Sequence, residues 1–183
     1  MKMQIINCLS EMVKQNFGED KWREVLKRSE LNDPEKYRQF IKGMDIVDQK
    51  AIEVIMNTVE ILGVTVPQAA DAFGEHWVCK YAPRFYGNIY KRFQSAYEFI
   101  EGMDRIHIEV TQHIANAKPP RFEIEHLSKT KIKVNYKSER DMIIFYIGLI
   151  KGVGRYFNTT LDVKELSKEY VEINFPYEIK AKT

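Results

Sequence analysis

Cysteine is scarce: the 183 residues hold only Cys8 and Cys79. The two stand far apart and form no CxxC. That argues against a disulfide framework and against a paired-thiolate metal site, and it fits a reducing cytoplasm. The sequon-like Asn158-Thr159-Thr160 then carries no meaning. No run of 18 apolar residues occurs, so no transmembrane helix and no membrane association are expected. The opening MKMQIINCLSEMVKQ has polar residues within its first dozen and no small-residue cleavage site, so it does not read as a signal peptide. An excess of one charge is missing too. Lys+Arg total 28 and Asp+Glu 26, a net charge of +2, too small to argue for nucleic acid or a membrane surface. There is no Gly-rich phosphate loop, no HExxH and no GxSxG. No internal repeat, low-complexity tract or linker interrupts the chain.

What is present is ordinary for a soluble domain: 44% hydrophobic and 30% charged residues over a length that suits one domain. The first two thirds read as helices. Ile5, Ile6, Leu9, Met12 and Val13 recur at helical spacing up to Gly18. Asp20 to Leu26 gives a second helix. Pro34 to Met44 gives a third, with Asp33 as its cap. Ile46 to Leu62 gives a fourth, closed by Gly63, and Val66 to Tyr81 a fifth. A long helix is predicted from Tyr90 to Asn116, with Phe93, Tyr97, Ile100, Asp104, His107, Thr111 and Ile114 on one face. The pair Pro119-Pro120 ends it.

Beyond the prolines the period changes from helical to alternating. Phe122, Ile124 and His126 alternate with glutamates, and Ile132, Val134 and Tyr136 alternate with lysines. The short gap between the two runs predicts a hairpin. Arg140 to Phe157 is helical again, and Thr160 to Ile179 reads as two more strands. The fold class is therefore α+β: a helical N-terminal part, then an antiparallel sheet of three or four strands with one or two packed helices.

Few residues carry candidate chemistry. His107 lies on the apolar stripe of the long helix. A hydrogen-bonded core histidine is its ordinary reading, and a metal or haem axial ligand is the alternative. His113 points elsewhere on the helix, and His76 and His126 read as structural or solvated. Tyr136, Ser138 and Arg140 share one strand face that starts apolar, at Ile132 and Val134, and ends in three donors. They either satisfy protein acceptors or clamp a ligand's carboxylates, for which the arginine fork and two short hydroxyl donors are suited. A histidine on an apolar helix face, a carboxylate clamp about 30 residues later and an aromatic interior together describe a haem pocket.

The pattern Tyr136-x-Ser138-x-Arg140 resembles the YxSxR signature of the haem nitric oxide/oxygen binding (H-NOX) domains, relatives of the soluble guanylate cyclase sensor domain. MDRIHIEVTQHIANAKPPRF is similar to that family's proximal-histidine helix and the proline pair after it. FYIGLIKGVGRYF, AFGEHWV and MKMQIINCLSEMVKQNFGED resemble its later, distal and N-terminal helices. The resemblance covers essentially the whole chain.

It implies a single domain over 1–183, with a helical subdomain over about 1–65, a haem-enclosing one over about 66–183 and haem b between. His107 would be the proximal iron ligand. Tyr136, Ser138 and Arg140 would hold the propionates. Pro120 and Ile5 would press on a distorted porphyrin, and Leu9, Trp77, Tyr81, Phe145 and Leu149 would line the pocket.

Members of the family that bind oxygen stably carry a tyrosine five residues after the motif arginine. Here that residue is Phe145, which implies NO and CO binding with O₂ exclusion. Tyr81 and the Trp77 indole are the possible donors, with Trp77 expected on the porphyrin edge and Tyr146 expected to point elsewhere. The implied role is a stand-alone, cytoplasmic, non-catalytic gas sensor that signals by breaking the iron–His107 bond. Its partner would be a histidine kinase or a diguanylate cyclase/phosphodiesterase, with no nucleic acid or membrane involved. The alternatives are a haem enzyme acting on NO or peroxide and a haem-free interaction module.

Overall fold

The computed structural model describes residues 2–42, 48–114, 117–139 and 141–180. Arg140 lies outside the described residues. So do Met44, Ile46 and Asn116, which the sequence places at helix ends. Two compact units are present, Met1–Ala69 and Ala70–Thr183.

The first unit is helical. It holds α1 (Lys2–Phe17), α2 (Glu19–Arg28), α3 (Pro34–Lys42) and α4 (Asp48–Leu62), and α5 (Val66–Glu75) begins in it. Gly18, at φ 91, makes the turn between α1 and α2, and Gly63, at φ 63, ends α4. Both are left-handed positions where a Cβ is costly. Asp33 caps α3 as its sequence predicts, with Oδ1 accepting from the backbone N–H groups of Glu35 at 3.0 Å and Lys36 at 2.9 Å. The apolar stripes meet in a core of Ile6, Leu9, Met12 and Val13 with Trp22, Val25, Val54, Ile55 and Val59.

The second unit joins helices to an antiparallel sheet. Its elements are a π-helical turn (His76–Tyr81), α6 (Pro83–Tyr90), α7 (Ala96–Glu101), α8 (Met103–Thr111), β1 (Arg121–Ser128), β2 (Lys131–Lys137), α9 (Ile143–Tyr156), β3 (Asp162–Glu165) and β4 (Tyr170–Asn174). The strand order is β1-β2-β4-β3. Register places Phe122 opposite Tyr136, Val134 opposite Val171 and Ile132 opposite Ile173. These residues make the buried face. The other face is laced with ion pairs: Lys131 to Glu172, Lys133 to Glu125 and Lys137 to Glu123. The alternation of the sequence is thus realised as one core face and one charged face.

The long helix expected over Tyr90–Asn116 is instead α7 and α8, preceded by a turn. Ser95 is extended, at φ −148 and ψ 160, and its side chain accepts from the Glu98 N–H. The Glu98 carboxylate reaches back to the Gln94 N–H at 2.8 Å. This reciprocal cap starts a helix where the apolar period alone runs on. At the α7–α8 junction, a Cβ on Gly102 would lie 2.6 Å from the Phe93 ring, so glycine is what lets that ring pack there. The fifth helix also departs from a uniform α-helix, since its last six residues take the wider π form.

Glycine governs a second contact as well. A Cβ on Gly74 would fall 2.0 Å from the Gly148 carbonyl oxygen, and one on Gly148 would fall 2.1 Å from the Ala70 oxygen. α5 and α9 therefore touch backbone to backbone.

Candidate functional site

His107 lies in the middle of α8, one turn after Met103. Its Nδ1 is 2.9 Å from the Met103 carbonyl oxygen. A carbonyl only accepts, so Nδ1 carries the proton and Nε2 keeps its lone pair. Burial pulls the imidazole pKa below its ordinary value, opposed in part by the Met103 carbonyl and the Asp104 charge. The ring is therefore a neutral imidazole with its lone pair on Nε2. It packs against Phe122 with centroids 5.0 Å apart.

α8 is fastened to the start of β1 beside this histidine. The Asp104 carboxylate accepts from Arg121 Nε and Nη2, each at 2.7 Å, and from the Phe122 backbone N–H at 3.0 Å. The Arg121 bonds hold the Asp104 carboxyl below the usual carboxylate range, against the opposing effect of burial. Pro120, half-buried, directly precedes this anchored residue pair. Sequence reading passed over the Asp104–Arg121 pair, whose signal is charge complementarity across the proline turn.

Tyr136 lies near the end of β2 and is buried, and its N–H donates to the Glu169 oxygen at 2.7 Å. Ser138 follows the strand and is half-buried. The strand alternation that was expected to carry it to the face of Tyr136 therefore stops one residue short of it. His107, Phe122, Tyr136 and Tyr146 form one aromatic group. Phe122 lies 5.9 Å from Tyr136 and 5.2 Å from Tyr146, and the Tyr136 and Tyr146 rings stack at 4.9 Å and 7°.

Across the core, rings four residues apart form a column along α5, the π-helical turn and α6. Phe73, Trp77, Tyr81 and Phe85 follow one another at 5.9, 5.5 and 5.2 Å. Phe145 of α9 meets Phe73 edge-on at 6.3 Å and 73°. Leu149, one turn further on, is half-buried. Trp77 is held by stacking between Phe73 and Tyr81. Tyr81 is buried at 5% exposure, with the Arg84 guanidinium 4.7 Å over its ring. Trp77 and Leu149 pack against the same core cluster that holds Met103, Phe122 and Tyr136. Ile5, half-buried, and Leu9, buried, are on α1 in the first unit. Of the other histidines, His126 bonds the Tyr97 hydroxyl at 2.9 Å, His76 is buried and His113 is exposed.

No group of three or more His, Cys, Asp or Glu able to hold a metal ion is found among the described residues. A lone neutral imidazole suits a metal that arrives with its own equatorial ligands, as haem iron does. The donor set therefore fits haem and does not fit a bare ion.

The family model described as haem-NO-binding matches residues 3–165. The chain belongs to the haem-NO-binding (H-NOX) family. Among curated proteins it is similar to soluble guanylate cyclase gcy-31 of Caenorhabditis elegans, 24% identical over 172 residues. That match covers 91% of this chain and 24% of the relative, so the chain spans about a quarter of that protein's length. Among solved structures, an H-NOX protein from S. oneidensis in the Fe(II) ligation state shares the fold at TM-score 0.83 and 17% identity over the whole of both chains. An oxygen-binding H-NOX domain related to soluble guanylate cyclases, solved as its oxygen complex, aligns at TM-score 0.78 and 23% identity, again over both chains entirely. A Cs H-NOX mutant aligns at TM-score 0.83 and 24% identity over 98% of each chain. The α+β fold read from the sequence is the fold of these relatives. No described helix is long and apolar enough to cross a membrane.

Proposed function

We propose that this chain is a gas sensor that holds haem b on His107 and responds to NO and CO while excluding O₂. The observation that carries the reading is the half-buried, neutral His107. Its Nδ1–H is spent on the Met103 carbonyl and its Nε2 is left to coordinate, in one aromatic group with Tyr136. His107 would hold the haem, which when bound would supply an iron able to take a diatomic gas.

The residues divide the remaining work. Tyr136, Ser138 and Arg140 donate to the propionates, with Arg140 as the charged fork. Pro120 and Ile5 shape the porphyrin, and Leu9, Trp77, Tyr81, Phe145 and Leu149 enclose it. Phe145 presents a ring edge to Phe73 and has no donor to offer. A polar bound ligand such as O₂ therefore lacks a hydrogen bond from this position. Of the enclosing residues only Tyr81 carries a titrating group, and none is a carboxylate, histidine or lysine, which supports sensing rather than turnover.

The output runs through α8. Displacement of His107 acts on a short helix whose Asp104 holds Arg121 and the Phe122 N–H, so it passes directly to β1. A partner protein reading that change, a histidine kinase or a diguanylate cyclase/phosphodiesterase, completes the signal. Both cysteines are free and Cys8 is buried, in keeping with a cytoplasmic setting.

Visible spectra of the reduced protein in argon, then air, then NO test the reading. The expected result is a five-coordinate ferrous spectrum, unchanged in air and shifted by NO. A stable spectrum of an oxygen complex in air contradicts the part given to Phe145.

A further inference from the structure

The Tyr146 hydroxyl is unexplained by the site as described. The residue is 3% exposed, and its Oη has no hydrogen-bond partner among the described residues. Burial, then the neighbouring Tyr136 phenol, pushes its pKa well above the ordinary tyrosine value. An orphaned hydroxyl in an apolar core is destabilising, and a phenylalanine fills the same space without that cost. Its surroundings on α9 are Ile143, Ile147 and Ile150, all buried. The ring stacks on Tyr136 at 4.9 Å and 7°, and through Phe122 it belongs to the His107 group. It follows Phe145 by one residue, about 100° round the helix, so it does not share the face that Phe145 turns toward Phe73.

We infer that the Tyr146 hydroxyl is a further hydrogen-bond donor of the haem clamp, directed at a propionate carboxylate beside Tyr136. This rests on the haem reading above. No described residue supplies the acceptor. A ligand that supplies it has to reach a buried position next to Tyr136, and a carboxylate is the group that Tyr136 is proposed to hold. A carboxylate accepting from two phenols and an arginine is well satisfied, and charge-assisted bonds of this kind are the strong ones.

The test is haem transfer to an excess of apomyoglobin from the haem-loaded chain of residues 1–183, its Tyr146→Phe variant and its Tyr136→Phe variant. Each is loaded with haem or with haem dimethyl ester, whose propionates are masked. Tyr146→Phe is expected to lose haem about tenfold faster, the effect of one charge-assisted bond. With the dimethyl ester the ratio is expected to fall to about twofold or less, since an ester accepts more weakly. The apoprotein of this variant is expected to melt at the same temperature or higher, because an orphan has been removed.

An unchanged rate of haem loss overturns the inference, and so does an equal acceleration with haem and with the ester. A lower apoprotein Tm overturns it as well, because the hydroxyl then has a partner without haem. Tyr136→Phe separates the two levels. If it speeds haem loss while Tyr146→Phe does not, only this inference fails. If the wild-type chain takes up no haem, the haem reading fails and this inference falls with it.

Discussion

On the His107 side, α8 is fastened by polar contacts: Nδ1 to the Met103 carbonyl, and the Asp104 carboxylate to Arg121 and the Phe122 N–H. On the Phe145 side, α5 and α9 meet backbone to backbone, and a column of rings runs beside them. The two means respond differently to force. Hydrogen bonds and ion pairs can be exchanged with water or another partner, so an element held by them can shift between arrangements. Close-packed backbone has no such alternative, since a sub-ångström shift already costs contact. Under the proposed function, the contrast would put the moving part on the histidine side and the fixed reference on the opposite wall.

Substitutions on the two sides should therefore behave differently. The largest effect is expected at Gly148. Its Cβ in Gly148→Ala would meet the Ala70 carbonyl oxygen at 2.1 Å, and a backbone atom cannot rotate away. A loss of about 2–3 kcal/mol in urea unfolding is expected. A loss near zero would show that the seam is not rigid and would break the contrast.

Asp104→Asn comes next. It weakens the Arg121 pair and costs about 1 kcal/mol at neutral pH, a modest figure because the Arg121 end is solvent-screened. The sign with pH follows from the depressed pKa of Asp104. The carboxylate's contribution is present in full above the unfolded-state value and is lost as pH falls through the folded one. The gap between wild type and variant should thus close below about pH 4, and a gap that persists in acid would refute the charge-based fastening.

Ser95→Ala should be smallest, about 0.5–1 kcal/mol for one helix cap. It sharpens the comparison because Ser95 starts α7, the helix leading into α8. Native-state hydrogen exchange should show faster opening of α7 and α8 in this variant and no change in α9.

Much of this was legible in the residues. Alternation separated Phe122, Val134 and Tyr136 from the outer lysines, and the observed register puts each on the expected face. Asp33 and Gly63 marked helix ends as turn chemistry requires. The break before α7 was hidden because the apolar period continues across it. The Ser95–Glu98 cap was the available signal, and it acts on backbone N–H groups that a hydrophobic pattern does not register. The π-helical turn was out of reach, since its composition is that of an ordinary helix. Helical phase did set Tyr146 apart from Phe145. The partners of Tyr146 depend on which strand packs beneath α9, a long-range fact with no local trace.

The most direct measurement of the central claim is the spectrum of reduced His107→Gly, with and without imidazole. Glycine removes the side chain and leaves room for a free imidazole in its place. Loss of the five-coordinate ferrous spectrum, restored by added imidazole, is what this account predicts. An unaltered five-coordinate spectrum without imidazole would mean that another residue holds the iron, and the role given to α8 would fall with it.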